Sequence, residues 1–390
     1  MESMRRCREQ VFGEKRCEDV IEELGTLISR DPRPCSVAGT MVAEPFDVAA
    51  EAYRMFMHVN YNDPASFNSV HVVKERLEAL ISELLGRRIR LLYTYGGSES
   101  TLSALYAFRE TYGVKGIIAS RAAHASVFKA CRILGLRCHM AGVNPDLTIS
   151  VDDVEELVES LPYRVALVAT LGLTDNGALD PIEELNQIAE ANDIPIYIDA
   201  VFGGFHLLAK GETRLLTLGS VKAFSLDPHK LYAPPGSGLL VVLDNDLMNA
   251  LRFDAPYMPM GSQEGLLWTR NAAGLAATYA GLRLLGREGL KRLTTTLMML
   301  AEELKVGLEE AGVVVYSKPW TPLVAFNVGR AWKRVLSLLG SRGIILYPSR
   351  LPGTLRYIVK WCHSRGFVKT VIEAVRESLK PVKNSAREKG

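Results

Sequence analysis

The chain has little of what marks specialised proteins. Its 390 residues hold only six cysteines, Cys7, Cys17, Cys35, Cys131, Cys138 and Cys362, and no C-x-x-C pair. Scattered cysteines in a long chain predict reduced thiols in a cytoplasmic protein, not a disulfide scaffold. Cys131, Cys138 and His139 match no common zinc spacing, so no metal site is expected. No apolar run approaches the roughly 20 residues of a membrane helix. The opening MESMRRCREQVFGEKRCEDV is polar, without the apolar core of a signal peptide. Lysine and arginine (46) nearly balance aspartate and glutamate (44), which argues against a nucleic-acid or membrane surface. Internal repeats and low-complexity linkers are also lacking.

What is present is the composition of a globular enzyme, 48% hydrophobic and 23% charged. The length exceeds one core, so a large domain and a smaller one are expected. Residues 18–30 and 45–57 have helical periodicity and flank the stretch DPRPCSVAGT, giving an N-terminal helical segment over 1–60. HVVKERLEALISELL, 71–85, reads as a helix stopped by Gly86. Helices are then predicted at 98–112, 124–134, 151–160 and 180–192. Strands are predicted at 115–119, 136–141, 164–171 and 194–200, and in VKAFSL and GLLVVL. This alternation predicts an α/β fold, a mostly parallel sheet flanked by helices, over 61–285. A helical stretch at 269–311 breaks near Gly286. VVVYS, LVAFNV, IILY and LRYIVKW follow, interleaved with helices, as a smaller C-terminal α+β domain over 286–390. The polar tail from Lys380 is expected to fray.

Four segments carry chemistry, each placed at a strand end, where open α/β sheets bind ligands. TYGGSEST sets Gly96, Gly97, Ser98 and Glu99 before a helix. Glycines allow close backbone approach, and the helix N-terminus favours a phosphate; a plain turn capped by Ser98 fits the same residues. RAAHASVFKA places His124 at a helix start, where an imidazole can stack on a planar cofactor or serve only the fold. YIDAVFGGF ends an apolar strand on Asp199, a costly place for a carboxylate without a cationic partner; a capping aspartate is the plain alternative. SLDPHKLYAPPGSG turns at Asp227-Pro228 and presents His229 and Lys230. A lysine is a poor nucleophile at neutral pH unless its surroundings tune it, and most loop lysines are merely solvated.

Order and spacing say more than any segment alone. Lys230 follows Asp199 by 31 positions, after the glycine turn and the histidine. This constellation resembles the fold-type I pyridoxal-phosphate (PLP) enzymes, and among them the group II amino-acid decarboxylases. That family carries G-G-T/S-E-A-N, A-H-x-S-x-x-K-A, D-A-A-F-G-G and D-P-H-K. Here stand Gly96-Gly97-Ser98-Glu99, His124-Ala125-Ser126 with Lys129-Ala130, Asp199-Ala200-Val201-Phe202-Gly203-Gly204, and Asp227-Pro228-His229-Lys230. Asn62-Asp63-Pro64, VATLGLTDNGALDPI, FDAPY at 253–257, Thr269-Arg270 and LRYIV at 355–359 extend it over roughly 35–380, towards the compact archaeal tyrosine/aspartate decarboxylases.

The resemblance implies roles. Lys230 holds the cofactor as a Schiff base. Asp199 pairs with the ring nitrogen, His124 stacks on the ring, and Thr174 sits by the ring hydroxyl. Gly97, Ser98, Glu99 and His229 surround the phosphate. Arg356 holds the substrate carboxylate. Thr269 reaches the neighbouring subunit's phosphate, which implies a homodimer with shared active sites. Val201 stands for the family's alanine beside the ring, Leu173 for a threonine, and Trp268 for a glycine. The implied reaction is decarboxylation of an L-amino acid. The resemblance points first to L-aspartate, giving β-alanine for coenzyme A synthesis, with L-tyrosine or L-glutamate as alternatives; if Val201 and Trp268 face the pocket, their bulk suits a short side chain better than a phenol ring. A second carboxylate needs a further cation, for which Arg350, Lys318 and His363 are candidates. Another fold-type I lyase reaction, or a binding protein on an enzyme scaffold, would use the same cofactor residues in part.

Overall fold

Seven strands form the main sheet in the computed structural model, which describes residues 14–316 and 320–380. They are β1 (Arg90–Thr94), β2 (Gly116–Ser120), β3 (Arg137–Ala141), β4 (Val165–Thr170), β5 (Ile196–Asp199), β6 (Val221–Leu226) and β7 (Gly238–Val242). Their order is β1-β7-β6-β5-β4-β2-β3, and β7 alone runs against the other six. Side chains alternate across the sheet, as a period of two demands. Leu91, Tyr93, Leu167, Ile198 and Phe224 enter one core. Leu92, Ala166, Val168, Tyr197 and Ala223 enter the other. Both faces are covered by helices, which explains why the central strands read as unbroken apolar runs. Truncating a fully buried residue such as Phe224 to alanine would cost about 3–5 kcal/mol.

Most expected elements form within a residue or two of their predicted bounds. Several elements were unassigned from sequence, among them the helices Gly204–Lys210 and Asn245–Ala250, and IILY forms a strand only at Tyr347–Pro348; the unassigned element that matters most for the site is β1. It pairs antiparallel with β7 from Arg90↔Val242 to Thr94↔Gly238 and launches the glycine turn. After the short hairpin of β8 (Arg252–Asp254) and β9 (Ser262–Glu264), a helix runs over Ala273–Glu309, interrupted at Gly286 with φ 57°. Beyond it lies a four-stranded antiparallel sheet of β10 (Val314–Val315), β11 (Leu323–Asn327), β12 (Tyr347–Pro348) and β13 (Thr354–Ile358), in the order β10-β11-β13-β12. Helices Trp332–Ser341 and Arg365–Leu379 accompany it. The expected frayed tail lies, apart from Lys380 itself, outside the described residues. Among the described residues, no helix is long and apolar enough to cross a membrane.

One segment was not anticipated. Residues 34–46 contain no helix or strand, so their backbone groups need partners elsewhere. On one side they bond the small sheet: Ile345 N donates to Ser36 O (2.9 Å), Gly39 N to Ile345 O (2.9 Å) and Ile358 N to Ala38 O (2.8 Å). On the other side Ala43 N donates to His229 O (3.1 Å) and Phe46 N to Tyr232 O (2.8 Å). The buried ammonium of Lys360 donates to Pro34 O and Val37 O, and burial pushes its pKa down to about 8. A disulfide between Cys35 and Cys362, 327 positions apart, closes this strap. The expectation that all cysteines are reduced is therefore corrected. Distance along the chain hid a pair whose Cα atoms lie 6.2 Å apart in space. Cys131 and Cys138 are free thiols, and His139 Nε2 bonds Tyr163 Oη at 2.7 Å.

Candidate active site

The six strands of like direction bring the loops after β1, β2, β4, β5 and β6 to one edge of the sheet. A cavity of 440 Å³ opens there, within the usual size of a small-ligand site. Gly97, Ser98, Glu99, His124, Thr174, Asp199, His229 and Lys230 all line it.

The glycine turn starts the helix Gly97–Tyr112. Gly96 has φ 143°, a conformation that side chains rarely adopt. A Cβ on Gly97 would lie 2.5 Å from Val201 Cγ1, so Val201 is tolerated because residue 97 has no side chain. Ser98 is exposed to the cavity. Glu99 is turned away. Its carboxylate pairs with Arg270 and accepts from Tyr95 N (2.7 Å), so it braces the turn and offers no free oxygen pair.

His124 caps the helix Ala125–Leu134. Its Nδ1 accepts from Ser126 N at 3.2 Å, which leaves the proton on Nε2. Loss of water around the ring holds its pKa below the ordinary histidine value; Asp199 opposes this, while Lys230 and Arg350 add to it. Asp199 ends β5, almost wholly buried. Among the described residues its carboxylate accepts one hydrogen bond, a long one from Val201 N at 3.4 Å. Burial raises its pKa, and Lys230 and His124 pull the other way. Lys230 follows Pro228 in a short 3₁₀ turn after β6. His229 is aimed by Nδ1, which donates to Ser237 O at 2.7 Å.

Pyridoxal phosphate fits this arrangement. Asp199 is a buried carboxylate short of donors, which a pyridinium N–H would satisfy. The Gly96–Gly97 turn leaves open backbone at a helix N-terminus for the phosphate. Lys230 shares the cavity with both.

Arg356, on β13, stands just outside the lining and donates from Nη1 to Thr174 O (3.0 Å); its Nε is buried without a partner. Burial lowers its pKa from the usual arginine value, and Asp175 opposes this. Thr269 is exposed and does not line this chain's cavity. Trp268 does not narrow it either. Its ring stacks on Tyr257, centroids 5.9 Å apart, and Leu267 is the residue that reaches the wall. Of the candidate second cations, Lys318 lies outside the described residues. His363 is buried behind the strap, its Nε2 bonded to Cys35 O, with burial pushing its pKa down to about 4. Arg350 alone is near the site. Sequence reasoning missed Met41, Tyr95 and Ser126 in the wall, and read Asp227 only as a turn residue.

Comparison with known proteins agrees with this geometry. Residues 110–329 match the pyridoxal-dependent decarboxylase conserved domain. A probable L-tyrosine/L-aspartate decarboxylase of Methanothrix thermoacetophila is 32% identical over 349 residues, covering 88% of this chain and 90% of that protein. A probable L-aspartate decarboxylase of Archaeoglobus fulgidus is 28% identical, covering 93% of this chain and 100% of its own length. Among solved structures, the Lactobacillus brevis glutamate decarboxylase superposes with a TM-score of 0.82 at 16% identity, covering 94% of this chain and 93% of that one. The sphingosine-1-phosphate lyase of Burkholderia pseudomallei gives 0.81 at 24% identity, covering 94% and 90%. The first similarity extends over nearly the whole chain and the domain match over more than half of it, so the chain belongs to the group II family of pyridoxal-phosphate-dependent amino-acid decarboxylases.

Proposed function

We propose that the enzyme decarboxylates L-aspartate to β-alanine and CO2, a product that would feed coenzyme A synthesis. The observation that carries this reading is the pair of arginines beside Thr174 and Asp175. Arg356 bonds Thr174 O, and Arg350 lies 3.4 Å from Asp175 through Nε. An L-aspartate carries two carboxylates, and two guanidinium groups suit them better than one. Val201 in the wall also favours a short side chain.

Bound pyridoxal phosphate supplies the electron sink that accepts the pair left by the departing carboxylate. The chain's own residues do the rest. Lys230 captures the cofactor. Asp199 holds a proton on the ring nitrogen. His124, neutral and with its proton on Nε2, presents its ring to the cavity. Backbone N–H groups around Gly97 and Ser98, with His229, bind the phosphate. Arg356 orients the substrate so that one carboxylate is directed for departure.

L-tyrosine is the second reading, favoured by the apolar Met41 and Leu267 in the wall and by the double name of the relatives; L-glutamate or another lyase reaction of this fold comes after it. The test is kcat/KM for aspartate, glutamate and tyrosine side by side. Tyrosine ahead by tenfold, about 1.4 kcal/mol in transition-state binding, overturns the aspartate reading.

We further infer a homodimer in which Thr269 serves the partner's site. Thr269 is exposed, and the large residues Tyr257, Leu267 and Trp268 are exposed around it, an apolar patch that suits an interface. We take 61–285 and 286–390 as large and small domains, divided at the Gly286 break, behind an N-terminal segment. We place the enzyme in the cytoplasm, where free amino acids and the cofactor are found, although a disulfide is uncommon there.

A further inference from the structure

Asp227 is a second buried carboxylate in the cavity, and nothing above gives it a task. It follows β6 and is 2% exposed. Its Oδ2 lies 3.4 Å from Lys230 Nζ and 3.4 Å from His229 Nε2. Its Oδ1 has no hydrogen-bond partner. A carboxylate so placed is costly unless a cation neutralises it.

Its other side faces the glycine turn. A Cβ on Gly97 would lie 3.3 Å from Oδ2, and one on Gly96 would lie 3.9 Å from Oδ1. That is beneath the turn assigned to a phosphate, where a second anion is unfavourable. Phosphate binding therefore does not explain this residue, and an asparagine would serve that purpose better. The lysine does explain it. Among the described residues Asp227 is the one carboxylate within 4 Å of Lys230 Nζ. The other ionisable groups around this pair are His229 on the same turn, whose Nε2 faces Asp227, Asp199 at the end of β5, and His124 after β2. Asp199 is committed to the ring nitrogen, and His124 is neutral.

We propose that Asp227 is the counter-ion of Lys230, a positioning residue that aims the lysine nitrogen into the cavity. This rests on Lys230 being the lysine that captures the cofactor. It adds that, in the cofactor-loaded protein, Asp227 would hold the proton on that nitrogen while Asp199 would hold the proton on the ring. The two carboxylates divide the site's positive charge between them.

The test is a pH titration of the visible band of the full-length, cofactor-loaded protein, whose midpoint reports proton affinity at the Lys230 nitrogen. Removing an opposite charge lowers that affinity. Asp227→Asn should lower the midpoint by about one pH unit or more, a tenfold loss of proton affinity. Asp227→Glu, which keeps the charge, should stay closer to the parent. Should the asparagine variant not fold, Asp227→Ser removes the charge, leaves room for water and is read in the same way. A midpoint unchanged in a folded Asn or Ser variant overturns the proposal, as does an equal fall in the Glu variant. A parent protein with no visible band would instead overturn the cofactor role of Lys230, so the two failures are distinguishable.

Discussion

Arg350 Nη2 donates to the carbonyl oxygen of Ala123 at 3.2 Å, so the loop between β12 and β13 is tied to the residue before His124. Arg350 N also donates to Asp175 Oδ1 at 2.8 Å. The small sheet thus reaches the cavity through arginines whose heads rest on loops of the large one. Replacing Arg350 by Met keeps the length of the side chain and removes its charge. For aspartate, kcat/KM should fall about 10–100-fold, the equivalent of one charge-assisted hydrogen bond, mainly through KM. For tyrosine it should change little. Steady-state kinetics with both substrates decides this, and equal losses would remove Arg350 from substrate recognition.

Lys230→Ala should fold, bind cofactor weakly and lose at least about a thousandfold in turnover, because among the described residues no other lysine lines the cavity. Borohydride followed by peptide mass mapping should label Lys230 in the parent and nothing in the variant. Label on another lysine would reassign the cofactor.

Asp199→Asn removes the charge at the end of β5. Burial already makes that carboxylate reluctant to ionise, and only a cationic partner keeps it charged. The neutral amide cannot retain a pyridinium proton, so activity should fall by about a hundredfold or more with the far-ultraviolet spectrum unchanged. Near-parental rates would reduce Asp199 to a structural residue.

These sites were legible because each lies in a short stretch whose residues stay together in the fold. DAVFGG and DPHK keep Asp199 and Lys230 at strand ends, and RVALVATL and IPIYIDA announce strands buried on both faces. RLLYT was not legible: five residues opening on Arg90 and preceded by Arg87 and Arg88 resemble a loop, and only pairing with β7 makes it a strand. Trp268 was placed correctly beside Thr269 along the chain, but sequence does not say that its ring turns to Tyr257. Met41 and the Cys35–Cys362 bond were beyond reach, since the strap meets Lys230's turn and the small sheet only through tertiary folding.

His363 makes stability depend on acid. Its Nδ1 accepts from Lys360 N (3.2 Å), so protonation of that nitrogen destroys the bond. Burial depresses its pKa from 6.5 to about 4. A depressed pKa means that the unfolded chain binds the proton first. The stabilisation is present above about pH 6.5 and is lost as pH falls towards 4, up to about 3 kcal/mol. Urea unfolding at pH 7, 5.5 and 4 should show this loss, and His363→Gln should flatten it. Parallel slopes for parent and variant would show that other groups set the acid limit.

The bond between Cys35 and Cys362 also turns most of the polypeptide into a covalent ring. A protease that nicks any one exposed loop inside that ring, the turn after Gly211 for example, would leave a single molecule of undiminished mass. Fragments would part on a gel only after a thiol is added. The cut ends would remain held near each other, so a nicked molecule could still close its cavity around Lys230.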